Sequence, residues 1–196
     1  GVFDLSYLRS IPRMKIIAPS NNTTMQRAVI SAYEENSGPI AVRYPRGSLA
    51  GELMKFEGLT SLAEGKGRFV LGDDNAKAAV ISVGRMTSLF MPWVEKMRNK
   101  GSDISLFDIL WVKPFDESAL LELAKNAKMV ITAEDNAIPG GFGEAAASLF
   151  SRNDLSVPVR MFGWQDIFPT AGTIDELFDN YQINYETLEK YIREVL

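Results

Sequence analysis

Along the chain, short unbroken apolar runs alternate with stretches whose apolar residues recur three or four positions apart. The runs at 15–18, 40–42, 67–71, 78–83, 103–107, 129–133 and 159–162 predict strands. The spaced stretches at 23–36, 86–98, 116–127, 143–150, 173–180 and 185–195 predict helices. In the first of these helices Met25, Ala28, Val29 and Ala32 form the repeating face. Pro19-Ser20 stops the strand before it, Ser20 or Asn22 offers a cap, and Ser37-Gly38-Pro39 ends it. Residues 14–43 therefore read as strand, helix, strand. Two parallel strands alone leave a face unburied, so the remainder of that first domain is expected upstream in a longer polypeptide. The start agrees with this expectation: Gly1 to Leu8 enters a helix-like apolar pattern without an initiator methionine, as a cut or processed chain would.

Residues after Gly47 lose periodicity, which predicts a linker over 48–66 between a first segment, 1–47, and a second, 67–196. In the second, strands and helices alternate for about 130 residues, the pattern of an α/β domain with a largely parallel sheet. Tyr185, Tyr191, Phe178 and Leu188 near its end form an apolar stripe expected in the core.

Composition narrows the chemistry. The chain has 196 residues, 46% hydrophobic and 23% charged, ordinary for a folded protein. A net charge of -4 gives no basic field for nucleic acid or an anionic membrane, and no run approaches the length needed to span a bilayer. With no cysteine and no histidine, disulfides, thiolate nucleophiles and the Ser-His-Asp and Cys-His arrangements are excluded within these residues. The 25 acids offer no pair that sequence alone singles out. The chain reads as a binder more than a complete catalyst, with no catalytic, metal or cofactor residue assigned in it.

The strongest candidate site is Ile40-Ala41-Val42-Arg43-Tyr44-Pro45-Arg46-Gly47. A strand ends there, Pro45 stiffens the chain, and two guanidinium groups follow. Strand carboxyl ends are where open α/β sheets bind ligands, and arginine suits a phosphate through its planar, permanently charged fork. The plainer reading is a turn whose arginines pair with carboxylates. Pro139-Gly140-Gly141-Phe142-Gly143 either presents amides to an anion or, as three glycines at a strand-to-helix turn more often do, lets a helix approach closely. Glu134-Asp135-Asn136 just before it sits at a strand's carboxyl end, with helix-dipole or loop hydrogen bonding as the simpler role. Val112-Lys113-Pro114-Phe115-Asp116 reads as a loop opening a helix, with Asp116 as its cap and Lys113 either facing a partner or ligand or, as a lone loop lysine more often is, solvated.

Taken together, Phe3-Asp4-Leu5-Ser6-Tyr7-Leu8-Arg9, Ala18-Pro19-Ser20, Gly38 to Gly47, Val112-Lys113-Pro114 and Glu134-Asp135-Asn136-Ala137 with Gly140-Gly141 resemble the 1-deoxy-D-xylulose-5-phosphate synthase family. That is a thiamine-diphosphate family related to transketolase, and the match runs in order along nearly the whole chain. The resemblance implies the end of a pyrimidine-binding-type α/β domain followed by a transketolase C-terminal-like α/β domain. It also implies a transferase that condenses pyruvate with D-glyceraldehyde 3-phosphate, releases carbon dioxide and serves isoprenoid, thiamine and pyridoxal biosynthesis. Thiamine diphosphate and Mg2+ would be held mainly upstream, where the family's activating glutamate, Gly-Asp-Gly motif and catalytic histidine lie. Gly1 matches the glycine closing the Asp-Gly-Pro-Thr-His-x-Gly segment that carries that histidine.

By the same resemblance Arg46 grips the aldehyde's phosphate, with Arg43 second. The implied partners are the upstream polypeptide and a second copy in a homodimer, in the cytoplasm or, in a plant or alga, the plastid stroma. Two roles follow: a piece of a functional synthase, inactive alone, or a non-catalytic oligomerisation or regulatory module. The Phe3 to Arg9 and Arg43 to Gly47 segments speak against transketolase itself and the β-subunit of a 2-oxoacid dehydrogenase.

Overall fold

A computed structural model describes residues 2–45, 51, 53–55 and 58–196. The chain opens with α1 (Asp4–Ser10), β1 (Lys15–Ile17), α2 (Asn22–Glu34) and β2 (Ile40–Val42). Helix α2 starts where Asn21 accepts from the Thr24 amide while Thr24 Oγ1 accepts from the Asn21 amide. The cap is thus Asn21, not the expected Ser20 or Asn22; Ser20 is drawn away to a buried carboxylate. Strands β1 and β2 pair in parallel, Ile16 opposite Ala41, completing the predicted strand-helix-strand unit.

The second segment runs β3 (Arg68–Leu71), β4 (Ala78–Ser82), α3 (Arg85–Asn99), β5 (Ile104–Asp108), β6 (Trp111–Lys113), α4 (Glu117–Asn126), β7 (Met129–Ala137), α5 (Phe142–Arg152), β8 (Val159–Trp164), α6 (Ile174–Asn180) and α7 (Tyr185–Arg193). Five strands form a sheet in the order β3-β5-β4-β7-β8, parallel throughout except for antiparallel β3 at the edge. The expected largely parallel sheet is present. Alternate residues of its central strand β4 point to opposite faces, as a pleated strand requires. Ala78 and Val80 meet Phe90, Val94 and Met97 of α3 and Leu188 and Ile192 of α7. Ala79 and Ile81 meet Leu120 and Leu123 of α4 and Phe142, Leu149 and Phe150 of α5. Phe178 and Leu188 are buried on the α3 side with Tyr185 and Tyr191 packed against them, so the predicted stripe is core.

One strand departs from expectation. Val112 and Lys113, read as loop, lie in β6, which pairs antiparallel with β1 and makes the small sheet three-stranded in the order β2-β1-β6. The second segment therefore lends a strand to the first. Lys113 is not solvated either: its Nζ donates to the carbonyls of Arg9 (2.8 Å) and Ile11 (2.6 Å), closing the C-terminal end of α1. Asp116 caps α4 as expected, accepting from the Ala119 amide.

Candidate functional site

The end of β2 reaches the second segment through Arg43. Its amide extends the parallel ladder to the Ile17 carbonyl, and its side chain then turns toward α1. Nε lies 2.8 Å from Asp4 Oδ2 and Nη2 3.2 Å from Asp4 Oδ1, a forked pair, while Nη2 also donates to the Asp135 carbonyl at 2.6 Å. Pairing with a carboxylate, the plainer of the two readings from sequence, is what Arg43 makes here. Arg46, the first candidate for a phosphate, lies outside the described residues. Asp4 was visible in sequence only as part of a family resemblance; an acid at the first position of a helix was the signal available.

Glu134, Asp135 and Asn136 continue β7 as far as Ala137, four residues beyond its predicted end at 133, and each side chain has a task beyond the strand. Asn136 Oδ1 accepts from the Leu5 amide (3.1 Å) and its Nδ2 donates to Ser6 Oγ (2.9 Å), fastening α1 to the large sheet. Asp135 Oδ1 accepts from the Trp164 indole (3.0 Å). Glu134 is fully buried, and its two oxygens accept from the amides of Phe142 and Gly143 at 2.8 Å each, at the N-terminus of α5. Burial pushes its carboxyl up to about 7, against those amides and the nearby Arg9 and Arg43.

The glycine loop thus does present amides to an anion, and the anion is the chain's own Glu134. It also provides close approach: a Cβ at Gly143 would stand 2.6 Å from Thr132 Oγ1, and one at Gly141 2.6 Å from the Ala137 carbonyl. Arg9 closes the loop from α1 by donating to the carbonyls of Gly140 and Gly141, and burial lowers its pKa.

A second polar knot ties the Ser20 turn to the carboxyl end of β5. The fully buried Asp108 accepts from Ser20 (2.5 Å), Thr87 (3.2 Å) and Arg68 (3.2 Å). Burial raises its pKa and these partners oppose that.

Between the two segments a cleft of about 220 Å³ is lined by Asp4, Arg43, Arg85, Asp135, Trp164 and Phe178, among others. Arg85 and Trp164 escaped sequence reasoning. Arg85 follows a single glycine after an apolar run, a weak signal, and Trp164 closes a strand predicted to stop at 162. Among the described residues no group of three or more acids gathers to hold a metal ion.

Residues 65–188 match the family model described as transketolase, C-terminal domain, and residues 1–52 match that of the transketolase pyrimidine binding domain. The chain is 36% identical over its whole length to a 1-deoxy-D-xylulose-5-phosphate synthase of Carboxydothermus hydrogenoformans. It is 34% identical, again over its whole length, to one of Vibrio atlanticus. It spans 31% of the length of each. A solved structure titled split gene transketolase, inactive beta4 tetramer, superposes on the whole chain with a TM-score of 0.84 at 24% identity, the chain covering 62% of it. That likeness speaks for the fold, and the C-terminal-domain model matches more than half of the chain, so the protein belongs to the transketolase family and carries that family's C-terminal domain.

Proposed function

We propose that the chain works as the C-terminal third of a 1-deoxy-D-xylulose-5-phosphate synthase, condensing pyruvate with D-glyceraldehyde 3-phosphate with loss of carbon dioxide. One observation carries this reading: relatives 31 to 36% identical over nearly the whole chain all bear that name. Thiamine diphosphate, when bound, supplies the carbanion chemistry of such enzymes. The described residues do not fit its diphosphate and divalent ion, because no three acids converge and Glu134 is already spent on the amides of α5. We assign both to the upstream polypeptide and route no step through them.

This chain's own contribution is Arg46, which follows the strand end that Arg43 and Asp4 hold in place. A guanidinium there grips the phosphate of the aldehyde and orients it. Arg43 stands second in this assignment because Asp4 already neutralises it. In the full-length enzyme Arg46→Ala is expected to raise KM for the phosphorylated aldehyde far more than for pyruvate, by roughly 2 to 4 kcal/mol in kcat/KM, the loss of a charge-assisted fork. Equal weakening toward both substrates removes Arg46 from the role.

A second reading has one observation of its own. The split gene transketolase tetramer is described as inactive, and this chain matches its fold over its full length. On that reading the isolated chain associates and braces without catalysing. Native mass separates the two: a synthase carries the upstream polypeptide and copurifies with thiamine diphosphate, whereas a bracing module is an assembly of 21.8 kDa chains only. No helix among the described residues is long and apolar enough to cross a membrane. The compartment we propose is the cytoplasm, or the plastid stroma for a plant or algal source.

A further inference from the structure

Two independent features of the molecule meet at the cleft between the segments. The first is topological. From β4 the chain crosses to β5 on one side, and later returns to β7 on the other, so the carboxyl ends of β4 and β7 flank the switch point of the sheet. Ligands of open α/β sheets bind at such crevices. Arg85 is delivered there by Gly84, whose φ of +57° lets the chain turn from β4 directly into α3. Asp135 lies opposite, near the end of β7.

The second feature is the pairing of charges. Among the described residues four charged side chains line the cleft: Asp4, Arg43, Arg85 and Asp135. Asp4 and Arg43 satisfy each other. Among the described residues Arg85 has no carboxylate within ion-pair distance, and its guanidinium lies 5.6 Å from the centre of the Phe178 ring. Asp135 has no cation on its carboxylate; one oxygen takes the Trp164 indole and the other has no hydrogen bond among the described residues. Among the described residues the cleft thus holds one open cation and one open anion, separated by more than ion-pair distance, with apolar and aromatic surface from Trp164, Leu177 and Phe178 beside them. An anion alone would meet Asp135 uncompensated, and an amine alone would meet Arg85.

We propose that this cleft is a binding site for a small zwitterion with an apolar body, the chemistry of a free hydrophobic α-amino acid. The ligand's carboxylate meets the Arg85 fork, its ammonium meets Asp135, and its side chain covers the aromatic wall. Because Val2, Arg43 and Pro45 line the same cleft from the first segment, such a ligand bridges the two segments. Arg85 and Asp135 have no part in the proposed reaction, so the inference stands whether or not that reaction is the right one.

The test is calorimetric titration of the full-length protein with L-phenylalanine, 3-phenylpropionate and phenethylamine, which share a ring and differ in charge. L-Phenylalanine is expected to bind about tenfold more tightly than either of the others, about 1.4 kcal/mol. Arg85→Gln should erase its advantage over phenethylamine, and Asp135→Asn its advantage over 3-phenylpropionate, with melting curves showing that each variant folds. Equal binding of the three probes, tighter binding of 3-phenylpropionate, indifference to Arg85→Gln, or no binding of any probe overturns the proposal. None of these readouts depends on turnover, so failure of the assigned reaction leaves them intact.

Discussion

The two sheets of this molecule are held by different balances of apolar burial and directed polar contact. The five-stranded sheet is covered on both faces, and its stability rests on apolar burial: Phe90, Phe142, Phe150 and Ile81 are all inaccessible to solvent or nearly so. The three-stranded sheet has a small core of Ile17, Ala28, Leu62, Leu110 and Trp111, and all three residues of its edge strand β2 are only partly buried. Beside the burial of Leu5, Ile16 and Val112 in the larger cluster, what orients it is a set of directed polar contacts to the larger body: Arg43 to the Asp135 carbonyl, the Leu5 amide to Asn136 and Ser20 to Asp108. Apolar burial is strong and tolerant of direction, whereas hydrogen bonds and ion pairs are weaker and specify orientation. The large sheet therefore behaves as the foundation and the small one as a part held in register upon it.

The largest effect should come from the foundation. Phe90→Ala removes a ring packed against Trp93 and Phe162 and is expected to cost about 3 to 5 kcal/mol, lowering the denaturant midpoint of the whole chain. Loss confined to the small sheet would break the contrast.

Next comes the carboxylate joining β7 to α5. Folding raises the Glu134 pKa from 4.5 to about 7, so the folded state binds the proton more tightly than the unfolded one. Stability contributed by this group is full below pH 4.5, falls as pH rises through the window to 7, and is flat above it, a span of roughly 3 kcal/mol. Melting temperatures of Glu134→Gln measured across that range should lose this slope; a slope matching the unaltered protein would assign it elsewhere.

A smaller and more local change tests the small sheet. Asp4→Ala leaves Arg43 without its forked partner and should cost about 1 to 2 kcal/mol. Amide exchange should quicken in β1 and β2 while the centre of the large sheet, β4 and β7, keeps its protection. Equal quickening in both sheets would mean that the two do not differ in the way described.

The same contrast explains what could be read in the sequence. Strands β1, β2, β4 and β8 and helices α3, α4 and α7 were legible to within a few residues because burial writes itself into apolar spacing. Strand β6 was not: three residues before a proline carry little pattern, and their partner in β1 is nearly 100 residues away. The extension of β7 through Glu134, Asp135 and Asn136 was hidden for a related reason, since polar residues sit in a buried strand only when other groups satisfy them, and the partners of Asp135 and Asn136, Trp164 and the start of α1, are remote in the chain. The strand-end position of Arg43 was legible; its pairing with some carboxylate was one of two open readings, and only the fold supplied Asp4.

The borrowed strand also has a bearing on synthesis. Strands β1 and β2 leave the ribosome roughly 70 residues before β6 does, several seconds at about 10 residues per second. Through that interval β1 lacks its antiparallel neighbour and shows an open edge of the kind that pairs with other nascent chains. The order of translation thus leaves that edge open before β7 and β8 of the larger sheet exist, and a chaperone that shields residues 15–42 until residue 113 has emerged would cover it.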